Sequence, residues 1–488
     1  MPINFNGIDK IRITGYKSIL NESFKSLKDE MMSLCPVTIL AGANSSGKSS
    51  VMQSLLLLKQ TLEEKNSSIP LLLAGNNISL TQYDQIRPRC EYDKENEFEI
   101  SIENYFLRAT STFRYGEIPH ADNVKRIRIS KTDFDFSPYA LSCGDEDFKA
   151  FKFSLSDGTS DDEAQKIAAK LDKHFYGINC DKKYELKRDS CFLAIRPKSQ
   201  QNGKSSIPGG PDDAFPPAWS FKDDLLGIIH LSGLRGDPSD REFRRLPVTP
   251  LPTEDEPAYF FKGKFPAYTA SLIEAWKQEK NGRFERLTKY VRDLRLSTAV
   301  STRYVDDSFL EIVVGWHPTD KPTKKEDWVN IADVGCGVSQ VLPILVALVA
   351  AKRSQIVYIE QPEIHLHPKA LVALVNVIAK AITDAAKRGV KVVIETHSDL
   401  LLLALQASVS EQVDKDGLKP EDIILYWFEK IEDSNEGTVG ATKITEGTLD
   451  ENGNYGDWPE DFVATTLKQQ RRFLDAMMAR NRAKEVSQ

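Results

Sequence analysis

Ile11-Arg12-Ile13 alternates apolar and polar positions, the period of a strand with one buried face. From Pro36 to Ala41 the chain runs apolar and β-branched and stops at Gly42, which predicts a buried strand entering a turn. Beyond Lys48, Val51, Leu55 and Leu58 recur at helical spacing and Leu56 and Leu57 widen the stripe, so a helix follows. Between about 90 and 225 the pattern weakens. Short alternating segments such as Phe98 to Ile102 sit among polar stretches, and Gln200 to Pro217 is rich in glycine and proline, predicting a β-rich inserted lobe with a long surface loop. Order returns at Leu226 to Leu231 and at Phe309 to Val314. Val341 to Ala351 then reads as a buried helix, Ile356 to Ile359 as a buried strand and Leu371 to Ala385 as a helix. Val390 to Glu395 reads as a second buried strand, and Leu400 to Leu405 opens another helix. Strands alternating with helices predict an α/β class with a mostly parallel sheet covered on both faces.

A length of 488 residues suggests about three structural units. The pattern divides them as 1–90 and 226–430 for the two parts of one α/β head, 91–225 for the lobe, and 431–488 for a C-terminal extension ending in a basic, helical segment. The net charge of −7 argues against nucleic-acid binding through overall charge, so any DNA contact would come from a local patch or through a partner. The longest apolar stretch, Val341 to Ala351, is 11 residues and contains Pro343, whereas a membrane span needs about 20. Asn4, Asn6, Asp9 and Lys10 stand where a signal peptide would be apolar. Six cysteines lie far apart, without zinc spacing. A cytoplasmic protein without membrane attachment is the expectation.

Gly42-Ala43-Asn44-Ser45-Ser46-Gly47-Lys48-Ser49 fits G-x-x-x-x-G-K-[ST], and it lies between the predicted strand and helix, the context the motif requires. Its glycines let the backbone curl so that N–H groups face phosphate oxygens, and the following helix N-terminus adds partial positive charge. Gly42, Asn44, Ser45, Ser46, Gly47, Lys48, Ser49 and Ser50 are the candidate ATP contacts. Lys48 would reach the β- and γ-phosphates, and Ser49 would ligate Mg²⁺. Ile356-Val357-Tyr358-Ile359 ends in Glu360, as a buried strand does when it places a carboxylate at its C-terminal edge; Glu360 is the second Mg²⁺ candidate.

Three further blocks carry a family resemblance. Pro362-Glu363-Ile364-His365-Leu366-His367-Pro368, Val393-Ile394-Glu395-Thr396-His397-Ser398-Asp399 and Ile13-Thr14-Gly15-Tyr16-Lys17-Ser18-Ile19 resemble segments of the ABC-class, AAA-family ATPases of the overcoming-lysogenisation-defect, RecF and SMC group. The likeness covers about 1–90 and 225–460. It implies an ABC-type head in which His397 is the switch histidine at the γ-phosphate and His367 lies in the D-loop facing a second subunit. Asp333 to Gln340 occupies the place of the signature, so Gly335, Gly337 and Ser339 would face a partner's nucleotide, with Gly335 where the family usually has serine. His365 and His367 could instead pair on a metal, although no third ligand is evident. Gln361 departs most from the pattern. The family normally has a glutamate there that orients or deprotonates water, and an amide cannot accept that proton. Hydrolysis is therefore expected to be slow or absent unless Glu363 or a partner's side chain takes over.

Leu231 to Arg235, with Arg241, Arg244 and Arg245, gathers four arginines after a buried strand, either as a phosphate or nucleic-acid contact or, as the plainer expectation, a solvated basic loop. The resemblance implies an ATP- and Mg²⁺-dependent subunit of a bacterial anti-phage complex, assembling head to head with itself and controlling a separate HNH-type nuclease. The roughly 90 residues after His397 lack a TOPRIM-like glutamate and Asp-x-Asp set, and the seven histidines form no HNH-like constellation. The alternative is a RecF- or SMC-type repair ATPase acting directly on DNA. Acidic balance and the lack of a long heptad repeat weigh against it, and the blocks above weigh against a transport ATPase.

Overall fold

The computed structural model describes residues 7–64, 69–88, 96–117, 125–136, 151–176, 184–189, 191–197, 217–233, 235, 244–252, 260–279, 281–294, 297–315, 327–334, 336–364, 371–378, 380, 388–410, 419–432 and 439–450. Of the predicted loop Gln200 to Pro217, residues 200–216 lie outside them, as do His365, His367, Gly335 and the tail from 451; Pro217 opens the helix Pro217–Leu226.

The head is a six-stranded sheet ordered Ile229–Leu231, Ile356–Glu360, Lys391–Thr396, Val37–Gly42, Ile423–Lys430 and Thr442–Thr448. The first five strands run parallel, and the last is antiparallel. Apolar β-branched runs dictate this arrangement because both faces are covered. Val357, Ile359, Val392 and Ile394 face a core formed with the helices Cys336–Ala350, Thr269–Glu279 and Arg283–Asp293. Tyr358, Val393, Tyr426 and Phe428 face the opposite core, under the helix Lys48–Glu63. The mixed α/β class expected from the pattern is borne out.

A second sheet is antiparallel throughout, ordered Met32–Ser33, Lys10–Thr14, Glu97–Glu103, Leu107–Glu117, Lys125–Phe136 and Phe151–Ser156. It crosses the boundary drawn at residue 90: Ile11 and Ile13 pair with Ile102 and Ile100, so the N-terminal strand and the lobe form one sheet. The lobe also contains a helix, Asp161–Tyr176, with acidic residues in its first turn. The other described strands are the hairpin Tyr184–Asp189 with Phe192–Pro197 and the small sheet around Phe309–Gly315. Among the described residues no helix is long and apolar enough to cross a membrane.

The Lys48–Glu63 helix is anchored at its far end by a buried ion pair. Lys59 Nζ lies 3.1 Å from Glu63 Oε1 and donates to the Leu226 carbonyl at 2.7 Å. The Gly263 N–H donates to the same Glu63 oxygen.

Candidate functional site

The strands Val37–Gly42, Lys391–Thr396 and Ile356–Glu360 end at the same sheet edge, where ligands bind in open α/β sheets. Glycine is obligatory at two points of the loop that leaves the first of them. Gly42 has φ +142, and a Cβ there would lie 2.2 Å from the Phe428 carbonyl oxygen. Gly47 has φ +105, and its Cβ would lie 2.6 Å from Thr442 Oγ1. Ser45 also lies in the left-handed region, at φ +61. Thr442 Oγ1 donates to the Ser46 carbonyl at 2.7 Å and lies 2.8 Å from Ser18 Oγ, so the outermost head strand pins the loop's shape.

The loop walls a cleft of about 530 Å³. Asn44 to Ser50, Gln361 and Glu395 line it, and Lys17, Gln53, Arg87 and Lys430 add polar and cationic groups. Ser46 is 1% exposed, and its hydroxyl has no hydrogen-bond partner among the described residues. Lys48 Nζ donates to the carbonyls of Gly42 (2.9 Å) and Ala43 (2.6 Å). Burial lowers the Lys48 pKa, opposed by the charges of Glu395 and Glu363.

The carboxylate that reaches Ser49 is Glu395. Ser49 Oγ donates to Glu395 Oε1 at 2.8 Å, and the Tyr358 hydroxyl donates to Oε2 at 2.7 Å. Burial raises the Glu395 pKa, which the hydrogen bonds from Tyr358 and Ser49 oppose and the neighbouring Glu360 charge reinforces. Both oxygens of Glu360, the expected second Mg²⁺ ligand, have protein partners in the structure. Its Oε1 lies 3.0 Å from His230 Nε2, and its Oε2 accepts from the Gly233 N–H at 3.1 Å. Burial raises its pKa, but the His230 hydrogen bond and charge, the Gly233 N–H and the Arg235 charge prevail and hold it below the ordinary range. The His230 ring stacks on Tyr358 at 5.3 Å between centroids.

Gln361 reaches the cleft from a left-handed backbone conformation, φ +44, and its N–H continues the parallel ladder to the Glu395 carbonyl at 2.8 Å. Glu363 is tied down rather than aimed at the cleft: Thr396 Oγ1 and the His397 N–H both donate to its Oε1. His397 therefore follows directly on the strand end, held through its backbone.

Two expectations are corrected. Ser339 is fully buried in the Cys336–Ala350 helix, so its side chain does not present a hydroxyl to a partner's nucleotide; Gly337, half-buried, lies in the first turn of that helix. Arg235 is not part of a solvated loop. It is 3% exposed, and its guanidinium donates to the Glu360 and Gln361 carbonyls while its N–H donates to Gln340 Oε1 at 3.0 Å. Burial lowers its pKa to about 10 against the opposing charges of Glu360 and Glu363. Arg244 and Arg245 are exposed, Arg244 paired with Asp333, and Arg241 lies outside the described residues. The sequence reading missed Glu395, Tyr358, His230 and Thr442 as site residues. Only Glu395, an acid at the end of a buried strand, carried the signal that singled out Glu360.

Residues 8–205 match the family model described as "AAA ATPase domain". Residues 239–404 match the model described as "AAA domain, putative AbiEii toxin, Type IV TA system". No curated protein matches the chain. Among solved structures, similarity extends to an SMC head bound to the C-winged helix domain of ScpA, at 12% identity and TM-score 0.38 over 91% of this chain and 98% of that one. An SMC head domain from Thermotoga maritima aligns at 9% identity and TM-score 0.32, over 90% and 98%. A Pyrococcus furiosus Smc head with an extended coiled coil, bound to the C-terminal domain of ScpA, aligns at 10% and 0.35, over 97% and 99%. The phosphate loop lies in the segment that matches the first model, and Glu360, Gln361 and Glu395 lie in the segment that matches the second.

Proposed function

We propose that this chain binds ATP with Mg²⁺ in the cleft, hydrolyses it slowly or not at all, and acts as a nucleotide-gated sensor or scaffold. The observation that carries this reading is the pairing of a complete phosphate loop with an amide, Gln361, at the cleft position where a general base would be needed. Lys48 is held on its own loop carbonyls and would exchange them for phosphate oxygens. Loop N–H groups and the start of the Lys48–Glu63 helix would hold the remaining phosphate charge. Ser49 with a neighbouring carboxylate, Glu360 or Glu395, would hold Mg²⁺, which would supply charge neutralisation for the phosphates. Gln361 can orient water but cannot take its proton. Glu363 has one oxygen committed to Thr396 and His397, while its other oxygen is buried with no hydrogen-bond partner among the described residues.

Two chains would close head to head over two nucleotides, each offering the other its signature segment through Gly335, Gly337 and the helix start, with His367 at the same interface. Nucleotide occupancy would then set the geometry of the pair. The family resemblance of the motif blocks supports placement in a bacterial anti-phage complex with a separate HNH-type nuclease, in the manner of the PtuA subunit of the Septu system. DNA would be contacted through that partner. Co-expression with a small HNH protein, should one be encoded beside it, tests this: a stable complex whose nuclease activity changes with ATP is expected. Tight, salt-dependent DNA binding by the ATPase alone, without a nuclease partner, would replace this reading with the repair-ATPase one.

A further inference from the structure

The helix Pro217–Leu226 shares one core with both sheets: Phe221 and Leu225 join Ile11 and Ile100 of the lobe sheet and Ile356 and Tyr358 of the head. Beside it, at the edge where the parallel head strands begin, Lys391 opens its strand. Its ammonium donates to the Ile8 carbonyl at 2.8 Å and to Asp9 Oδ1 at 2.6 Å. Asp9 belongs to the other sheet, since its N–H donates to the Glu103 carbonyl and its carbonyl accepts from the Leu34 N–H, both at 2.7 Å. This ion pair therefore ties the start of the lobe sheet to the head.

Asp224, in the last turn of the helix, faces the same charges. It is 8% exposed, one of its carboxylate oxygens is buried with no hydrogen-bond partner, and it forms no ion pair among the described residues. Asp223 precedes it, Asp9 stands nearby, and Lys391 is already committed to Asp9. Three carboxylates thus share one ammonium at a helix C-terminus, whose partial negative charge adds to the repulsion. Of the other described cations on the packed elements, Lys222 is exposed beside Asp223, and Lys59 is held by Glu63 and the Leu226 carbonyl. The lobe strands against the helix bring apolar Ala109, Phe113, Leu193 and Ile195 to the shared core. Burial first, then the Asp223 and Asp9 charges, raise the Asp224 pKa to about 7 against the opposing Lys391 charge.

We propose that this corner is a proton-operated joint between the lobe sheet and the head. With its proton, Asp224 is neutral beside the Lys391–Asp9 pair and the helix stays docked. Once ionised, it competes with Asp9 for Lys391, and the tie to the lobe sheet loosens together with the helix. The docked chain keeps a proton that an opened one releases above the ordinary value of 3.8. The joint is therefore firmest on the acid side, weakens as pH rises toward about 7, and levels off above it.

Hydrogen exchange of the full chain from about pH 5 to about pH 8.5 tests this, with wild type and Asp224→Asn compared at each pH so that intrinsic exchange rates cancel. Relative to Asp224→Asn, wild-type protection of Lys10–Thr14 and of the Pro217–Leu226 helix is expected to fall by up to about tenfold per pH unit until about pH 7 and then level off. Val37–Gly42, on the far side of the head sheet's core, should keep a constant ratio. Asp223→Asn changes an exposed residue and removes a neighbouring negative charge, so it should move the levelling point to lower pH. If Asp224→Asn does not fold, the wild-type to Asp223→Asn ratio is read instead, and it must change between about pH 5 and about pH 7. A ratio flat with pH, or a levelling point that Asp223→Asn leaves in place, overturns the inference. Protection lost evenly over all the head strands overturns it as well, because the proton would then act on global stability and not on a joint.

Discussion

The Lys59–Glu63 pair allows a stability prediction that turns on burial alone. Lys59 is 1% exposed, and its ammonium is satisfied by Glu63, the Leu226 carbonyl and the Phe261 carbonyl at 3.2 Å. Burial lowers the Lys59 pKa, with the Glu63 charge and hydrogen bond working against that shift. Replacing Lys59 with Met keeps the apolar stem but strands the Glu63 carboxylate among Leu62, Phe261 and Gly263. Breaking a buried pair by removing one partner costs about 3–5 kcal/mol, because the remaining charge is uncompensated. The double variant Lys59→Met/Glu63→Leu buries no charge. It leaves the Leu226 and Phe261 carbonyls and the Gly263 N–H without these partners, so it should recover about 2 kcal/mol or more of that loss rather than all of it. Urea unfolding followed by tryptophan fluorescence reads the three midpoints. If Lys59→Met falls within about 1 kcal/mol of wild type, or the double variant loses as much as Lys59→Met alone, the desolvation argument is refuted.

Other perturbations act on the site and its supports. Gly47→Ala places a Cβ 2.6 Å from Thr442 Oγ1 at φ +105, so it should weaken ATP binding by about tenfold or more through about 1–3 kcal/mol of local strain, measured by calorimetric titration. Arg235→Lys keeps the charge but loses the planar fork that spans two carbonyls, and should lower the unfolding midpoint and loosen the Glu360–Gln361 segment in hydrogen exchange. Glu274 titrates below its ordinary value of 4.5: burial pushes its pKa up, but hydrogen bonds from Lys277, Thr302 and Gln278 prevail. Its stabilisation is thus present above about pH 4.5 and lost as pH falls through the lower folded value, so Glu274→Gln should flatten the acid limb of a stability profile.

The phosphate loop could be read from the sequence because its requirements are local: two glycines at forbidden backbone angles, a lysine, a serine and a strand and helix on either side. The parallel strands could be read because burial on both faces leaves unbroken apolar runs. The division between Glu360 and Glu395 could not. It depends on how two strands separated by more than 30 residues come into register, and on His230 arriving from a third strand. Arg235 was hidden for a related reason. Its arginine-rich surroundings resemble a solvated loop, and only the fold brings the strand-end carbonyls to it. Ser339 shows the opposite failure, since its place in a recognisable block suggested exposure while the apolar helix around it turned it inward. The sheet shared by Lys10–Thr14 and Glu97–Glu103 is likewise a long-range pairing that alternating residues cannot announce.

The central claim is that the cleft holds ATP without turning it over quickly, and it is tested most directly by ATP binding and turnover of the wild type beside Lys48→Ala and Gln361→Glu. The account predicts tight binding with negligible turnover in the wild type, binding lost in Lys48→Ala, and turnover increased in Gln361→Glu. Brisk wild-type turnover, or ATP binding that survives Lys48→Ala unchanged, would contradict it.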